Sequence, residues 1–143
     1  MITITPFFYE ILLVDDHTLV RQGIRSIIEE NPDLRVVGEL GDGLALLDAV
    51  KQQKPRMVIL DISMPHLGGI EATRLIKASH PDIKVLILTL HNRREYVNQA
   101  RMVGADGYLL KDEMDKELLS AIETVRQGGT YLSPLVKRYW LTN

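Results

Sequence analysis

Cysteine does not occur anywhere in the 143 residues of the chain. Its absence excludes disulfides, thiolate metal sites and cysteine nucleophiles, and it leaves the cellular compartment open. Long apolar stretches are also missing, since none approaches the roughly 20 residues that a membrane span requires. The first residues, MITITP, lack the basic start and the apolar centre of a signal peptide. We therefore expect a soluble, cytoplasmic protein with no membrane partner.

Basic residues are not in excess either. The chain has 17 lysines and arginines against 19 aspartates and glutamates, which gives a formal net charge of −2. A surface that binds nucleic acid or an anionic membrane normally needs a basic excess. The length fits one compact domain, since about 150 residues per domain is typical. We therefore expect neither a DNA-binding surface nor a second domain in this chain.

The sequence does contain short apolar runs that alternate with segments of helical periodicity. Five such units, joined by short connections, predict an α/β fold in which a parallel sheet carries helices on both faces. For this length we expect a doubly wound sheet with the strand order 2-1-3-4-5. The predicted strands are Glu10–Asp15, Leu34 to about Leu40, Met57–Asp61, Ile83–Thr89 and Gly107–Leu110.

Capping residues and apolar periodicity locate the helices. Gly104 is expected to end the fourth helix in a left-handed conformation, and Asp115 is expected to be the N-cap of the fifth. Three helices have predicted apolar faces, formed by Val20, Ile24, Ile27 and Ile28, by Leu44, Leu47 and Val50, and by Leu118, Leu119, Ile122 and Val125.

The two ends of the chain are set apart from this pattern. Residues 1–9 form a lead and residues 10–129 form the predicted domain. In the tail over residues 130–143, Ser133 and Pro134 have the character of an N-cap and a first helical residue. The tail is therefore predicted to be either an extra helix or the start of a linker.

Four of the apolar runs lead directly into polar residues. The carboxyl ends of parallel strands meet at one edge of the sheet, where open α/β folds bind ligands. Carboxylates gathered there repel each other unless a divalent cation lies among them, and a hydroxyl and an ammonium suit phosphoryl oxygens. The sequence therefore predicts one site for a divalent cation and a phosphoryl group, formed by Asp15, Asp16, Asp61, Thr89 and Lys111.

Four motifs occur in order at these strand ends: DDH, LDISMPHLGGIEATR, LTLH and GADGYLLKD. With them, the chain from Glu10 to about Gly129 resembles the receiver domain of bacterial two-component response regulators. The motifs are similar to those of the NarL/FixJ branch, whose members usually continue into a LuxR-type helix-turn-helix. The resemblance implies a flavodoxin-like (βα)5 fold and a phosphorylation-activated switch that controls a transcriptional output domain.

The resemblance also implies the chemistry of the site. Asp61 would accept a phosphoryl group from a sensor histidine kinase, and Lys111 would neutralise charge on that group. Asp15 or Asp16, with Asp61 and the backbone carbonyl of Ser63, would hold Mg²⁺. The protein would take part in its own phosphotransfer and autodephosphorylation without being a turnover enzyme.

The same resemblance implies how the signal is passed on. Thr89 would hydrogen-bond the acyl phosphate, and Tyr108 would be the aromatic side chain that rotates inward on activation. Phosphorylation is then expected to produce a homodimer. DNA would be contacted only through an output domain that this chain lacks, so the chain is expected to be either an excised receiver or a stand-alone single-domain receiver.

Two positions depart from the pattern of the family. The residue after Thr89 is commonly small, whereas here it is Leu90, which with Ser63 is expected to modulate access to the phosphoryl group. The residue after Lys111 is often a proline with a cis bond, whereas here it is Asp112. A cis bond before a residue other than proline costs roughly 3 kcal/mol, and the sequence leaves this isomer open.

Other functions remain to be weighed against a receiver. A Mg²⁺-dependent haloacid-dehalogenase-like phosphatase uses similar residues, but its nucleophile comes first in the chain and its acidic pair last. A flavodoxin-like cofactor binder would not place two aspartates in its phosphate loop. An interaction module that is not phosphorylated is disfavoured because all five site residues are present. Surface or capping roles are expected for the histidines, His17, His66, His80 and His91.

Overall fold

The computed structural model describes residues 7–141, so the predicted lead and tail lie partly outside the described residues. Its centre is one sheet of six parallel strands in the order β2-β1-β3-β4-β5-β6. The strands are β1 (Tyr9–Val14), β2 (Leu34–Leu40), β3 (Met57–Leu60), β4 (Lys84–Thr89), β5 (Gly107–Leu110) and β6 (Tyr131–Leu132). The helices are α1 (Thr18–Ile28), α2 (Leu46–Gln53), α3 (Gly69–Ser79), α4 (Arg94–Met102), α5 (Met114–Arg126) and α6 (Lys137–Leu141), with a 3-10 turn at Lys111–Glu113.

The strands separate two hydrophobic cores, because successive side chains of a strand point to opposite faces of the sheet. Leu12 and Val58 lie in the core that α2, α3 and α4 cover, whereas Ile11 and Ile59 lie in the core that α1 and α5 cover. The central strands are thus buried on both faces, which explains why their sequences are almost wholly apolar. The predicted doubly wound α/β architecture is confirmed.

Three predicted helix details can be compared with the structure. Gly104 has a φ of +93°, so the predicted left-handed end of α4 is confirmed. Leu44 is 62% exposed and precedes α2, so its predicted place on the apolar face is wrong, and Leu46 is buried instead. Asp115 is not the N-cap of α5, because the 3-10 turn leads directly into the helix and Glu113 precedes its first residue.

The predicted strand order is right for five strands but omits the sixth. Strand β6 pairs in parallel with β5. Ser133 does not begin a helix, because its Oγ accepts a hydrogen bond from the backbone N–H of Leu110 at 2.9 Å and α6 begins only at Lys137. Val136 is fully buried in the core beneath α4. The tail thus contains an extra helix, one of its two predicted outcomes, and it also extends the sheet and the core.

Within residues 7–141, no helix is both long enough and apolar enough to cross a membrane. Every peptide bond in this range is trans, including the Lys111–Asp112 bond that the sequence left open.

Candidate functional site

Asp15, Asp61 and Lys111 meet at the carboxyl edge of the sheet, each directly after a buried strand. Lys111 Nζ lies 2.7 Å from Asp15 Oδ2 and 2.9 Å from Asp61 Oδ2. The Asp15, Asp61 and Lys111 side chains are only 3%, 6% and 9% exposed. One ammonium group therefore bridges two buried carboxylates.

Asp15 and Asp61 stabilise the charged form of Lys111. Burial by itself lowers the pKa of a lysine, because the ammonium group loses its water. The hydrogen bonds and negative charges of Asp15 and Asp61 act in the opposite direction, and the pKa of Lys111 is raised above its ordinary value. Lys111 is therefore a fixed cation at neutral pH.

The loop after β3 fixes the Asp61 carboxylate from the other side. Ile62 N–H donates a hydrogen bond to Asp61 Oδ1 at 2.6 Å, and Ser63 N–H donates a longer one at 3.4 Å. A Cβ atom at Gly69 would lie 2.0 Å from the Asp61 carbonyl oxygen, so only glycine lets α3 begin this close to the strand end. Both carboxylate oxygens of Asp61 are therefore held in place.

Asp16 lies on the solvent side of the cluster. Its side chain is 36% exposed, and His17 Nδ1 lies 3.0 Å from Asp16 Oδ1 and 3.2 Å from Asp15 Oδ1. The three residues offer ligand atoms that all lie within 4.8 Å of one another. The sequence predicted a surface or capping role for His17, and the position of this residue directly after the acidic pair was the available signal for a place in the site.

His91 connects three residues that the sequence predicted separately. Its backbone N–H donates to Thr89 Oγ1 at 3.3 Å, and its carbonyl accepts a hydrogen bond from Tyr108 OH at 2.7 Å. Its Nε2 lies 2.6 Å from Ser63 Oγ, and its ring centroid lies 4.3 Å from that of Tyr96 on α4. The surface or capping role expected for His91 does not include this connection.

Thr89 and Tyr108 are both fully buried. Burial raises the pKa of Tyr108, and the nearby charge of Asp61 raises it further, so the phenol stays protonated and donates to His91. Thr89 Oγ1 accepts the N–H of His91, which leaves its own proton available for another acceptor.

A cavity of about 350 Å³ opens beside Lys111. Apart from Lys111, its lining residues are His17, Val20, Leu90 and Met114. Leu90 is 66% exposed and therefore stands at the rim. The site thus has a largely apolar entrance with an ammonium group at one side.

The family model of the response regulator receiver domain matches residues 11–123. The chain belongs to the response regulator receiver domain family.

Curated relatives and solved structures agree with this assignment. The transcriptional regulatory protein DegU of Brevibacillus brevis is 40% identical over 136 residues, which cover 91% of this receiver chain and 57% of DegU. A LuxR-family two-component response regulator from Aurantimonas sp. SI85-9A1 is 35% identical with a TM-score of 0.88, over 93% of this chain and 95% of that one. A structure of two RcsB dimers bound to two parallel DNAs is 26% identical with a TM-score of 0.86. The match covers 93% of this chain and 68% of the RcsB chain.

Membership of this family excludes two of the alternative functions. The chain is a receiver domain of two-component response regulators, as its motifs predicted, and neither a haloacid-dehalogenase-like phosphatase nor a flavodoxin-like cofactor binder. It spans a little over half the length of the curated relatives it matches.

Proposed function

We propose that this receiver accepts a phosphoryl group on Asp61 from the phosphohistidine of a sensor histidine kinase. The observation that carries the proposal is the buried contact of Lys111 Nζ with Asp61 at 2.9 Å and with Asp15 at 2.7 Å. A carboxylate with a fixed cation beside it is suited to take up a group that carries negative charge. The receiver then acts as a signalling switch and phosphoacceptor rather than as a turnover enzyme.

The transfer is a displacement at phosphorus. A carboxylate oxygen of Asp61 forms a bond to phosphorus as the phosphorus–nitrogen bond of the donor breaks, and the electron pair of that bond stays on the imidazole nitrogen. Ile62 N–H and Lys111 hold the two Asp61 oxygens in one orientation before the reaction, which lowers its entropy cost. Lys111 also offsets the charge of the transferring oxygens.

The donor set fits a magnesium ion. Three carboxylates lie together at the carboxyl edge of the sheet, those of Asp15, Asp16 and Asp61, and Lys111 supplies one positive charge there. Like charges this close together repel each other unless cations balance them, and hard cations prefer carboxylate oxygens. We therefore propose that these carboxylates and the Ser63 carbonyl hold Mg²⁺, which when bound would neutralise charge on the phosphoryl oxygens.

Incubation of the chain with acetyl phosphate and Mg²⁺ should add the mass of one phosphoryl group. Hydroxylamine should remove that mass, because it cleaves acyl phosphates, and a chelator present from the start should reduce labelling to background.

Asp16→Ala should raise the Mg²⁺ concentration for half-maximal labelling by roughly tenfold or more, since even groups that only support a metal ligand contribute about 10–100-fold to metal affinity.

Asp82→Ala is the matched control for this experiment, because Asp82 is exposed and precedes β4 at the opposite edge of the sheet. Its Mg²⁺ dependence should equal that of the wild-type chain. Labelling that is independent of Mg²⁺ contradicts the metal site, and no labelling at all contradicts the proposed function.

We further propose that the switch acts through Thr89 and Tyr108. The free proton of Thr89 can be donated to an oxygen of the acyl phosphate, while Tyr108 lies in the buried position that the resemblance associates with activation. His91 joins the two residues through its backbone. The added charge and acceptor oxygens then favour one of two conformations that exist beforehand.

Leu90 is expected to restrict access to the phosphoryl group from the rim of the cavity. Leu90→Ala should accelerate phosphorylation by acetyl phosphate, loss of the phosphoryl group to water, or both, by up to about tenfold, which corresponds to about 1.4 kcal/mol of barrier. Time courses of intact mass measure both rates, with Leu44→Ala as the control at an exposed leucine outside this cavity. Unchanged rates in both directions would show that Leu90 lies off the line of attack.

We propose that phosphorylation promotes self-association and that DNA is contacted only through an output domain outside this chain. The net charge of −2 gives no basic footprint, and the related RcsB is seen as dimers on DNA. Sedimentation velocity should show monomers without beryllofluoride, a mimic of the phosphoryl group, and dimers with it. Monomers under both conditions over a wide concentration range would contradict the proposed self-association. Nanomolar, sequence-specific DNA binding by this chain would contradict the proposed role of an output domain.

A further inference from the structure

The C-terminal segment 131–141 is hydrogen-bonded to strand β5 in a way that the proposed function does not use. Ser133 N–H donates to the Tyr108 carbonyl at 3.0 Å, and Leu110 N–H donates to Ser133 Oγ at 2.9 Å. Ser133 is fully buried, and β6 pairs with β5 directly before it. The segment therefore holds the backbone of β5 at two positions, through one backbone bond and one side-chain bond.

Apolar side chains of the same segment pack on the core around Tyr108. Val136 is fully buried in the cluster that contains Tyr108, and Trp140 and Tyr139 pack against that cluster. On the outer side, the guanidinium group of Arg94 on α4 lies 5.2 Å from the centre of the Tyr139 ring. Segment 131–141 is thus docked against both β5 and α4.

Strand β5 is also linked to the proposed phosphoryl site at two positions. Lys111 follows Leu110 directly and binds Asp61. Tyr108 OH binds the carbonyl of His91, whose N–H orients Thr89. One strand of four residues therefore connects the phosphoryl site with the docked segment.

We propose that docking of segment 131–141 and phosphorylation of Asp61 stabilise each other, with the Ser133 hydroxyl as the coupling group. The inference rests on the proposed function. The docked segment holds β5 in the arrangement that buries Tyr108 and leaves the Thr89 proton available to a phosphoryl oxygen. Because coupling between two sites is reciprocal, a phosphoryl group on Asp61 stabilises the docked segment in return. The segment thereby carries the signal away from the site.

The test uses the full chain with Mg²⁺ and beryllofluoride. Fluorine NMR titration should show that Ser133→Ala weakens beryllofluoride binding by at least about fivefold, the lower end of typical allosteric couplings. Ser120→Ala is the matched control, because Ser120 is an exposed serine on α5, and it should bind like the wild-type chain. In the wild-type chain, beryllofluoride should slow amide hydrogen exchange of segment 131–141, and Ser133→Ala should abolish that slowing.

The outcomes separate the two proposals. No beryllofluoride binding by the wild-type chain contradicts the proposed function and the coupling with it. Equal affinity of the wild-type and Ser133→Ala chains overturns the coupling alone. Circular dichroism shows whether Ser133→Ala folds. If it does not fold, hydrogen exchange of the wild-type chain decides the question. Exchange of segment 131–141 that is the same with and without beryllofluoride also overturns the coupling.

Discussion

Asp61→Asn is expected to reduce labelling by acetyl phosphate to background while the fold is retained. The amide of asparagine lacks the carboxylate oxygen that attacks phosphorus, yet it has nearly the same volume. Its oxygen can still accept the hydrogen bond that Ile62 N–H gives to Asp61 Oδ1. Intact-mass measurement of the label and circular dichroism of the variant check the two parts of this prediction.

Asp82→Asn makes the same chemical change at an exposed position away from the site and should label like the wild-type chain. Hydroxylamine-sensitive label that persists in Asp61→Asn would place the acceptor on another carboxylate. Asp15 and Asp16 would then be the first to examine, because they lie in the same cluster.

Lys111→Met is expected to weaken both the fold and the chemistry. Without the ammonium group, Asp15 and Asp61 face each other as buried carboxylates, and breaking a buried ion pair costs about 3–5 kcal/mol. Urea unfolding without Mg²⁺ measures this loss in the free energy of unfolding. The rate of labelling by acetyl phosphate should fall by about a hundredfold, the effect of removing one preorganised charge-stabilising donor.

The pH dependence of the Lys111 contribution follows from its pKa. In the folded chain this pKa lies above the ordinary value of 10.5. The stabilisation is therefore fully present below pH 10.5 and is lost as the pH rises through the folded-state pKa. Around neutral pH the loss in the free energy of unfolding caused by Lys111→Met should therefore not vary with pH. Lys116→Met, at an exposed lysine on α5, should change the free energy of unfolding little. Equal stability of the two variants would contradict the buried bridge.

Local sequence was sufficient to predict the position of Asp61 and its neighbours. Each of Asp15, Asp61 and Lys111 follows a short apolar run, and parallel strands bring their carboxyl ends to one edge. Burial on both faces makes such runs easy to recognise, because nearly every residue in them is apolar. The order of the first five strands followed from the doubly wound arrangement that five βα units of this length favour.

The contacts of His91 and His17 could not be predicted in the same way. His91 meets Ser63 across 28 positions of sequence, through two loops whose paths no periodicity describes. His17 directly follows the acidic pair, but its contact with both carboxylates depends on the turn into α1. Loop geometry and side-chain rotamers decide such contacts, and neither has a pattern in the sequence.

The tail contains an extra helix, which is one of its two predicted outcomes, but α6 begins at Lys137 and not directly after Ser133. Ser followed by Pro is typical of a helix start, yet the Ser133 hydroxyl accepts its hydrogen bond from Leu110, 23 residues earlier. Strand β6 has only two residues, which is too short to show alternation. The burial of an unpaired edge of β5 outweighed the capping preference.

Borohydride trapping of the labelled chain identifies the phosphorylated residue itself. Borohydride reduces an aspartyl phosphate to homoserine, and peptide mass spectrometry then locates the changed residue. We expect homoserine at position 61 only, formed when both acetyl phosphate and Mg²⁺ are present and absent when either is left out. Homoserine at position 15 or 16, or an unmodified position 61 in a chain that carries the phosphoryl mass, would contradict this expectation.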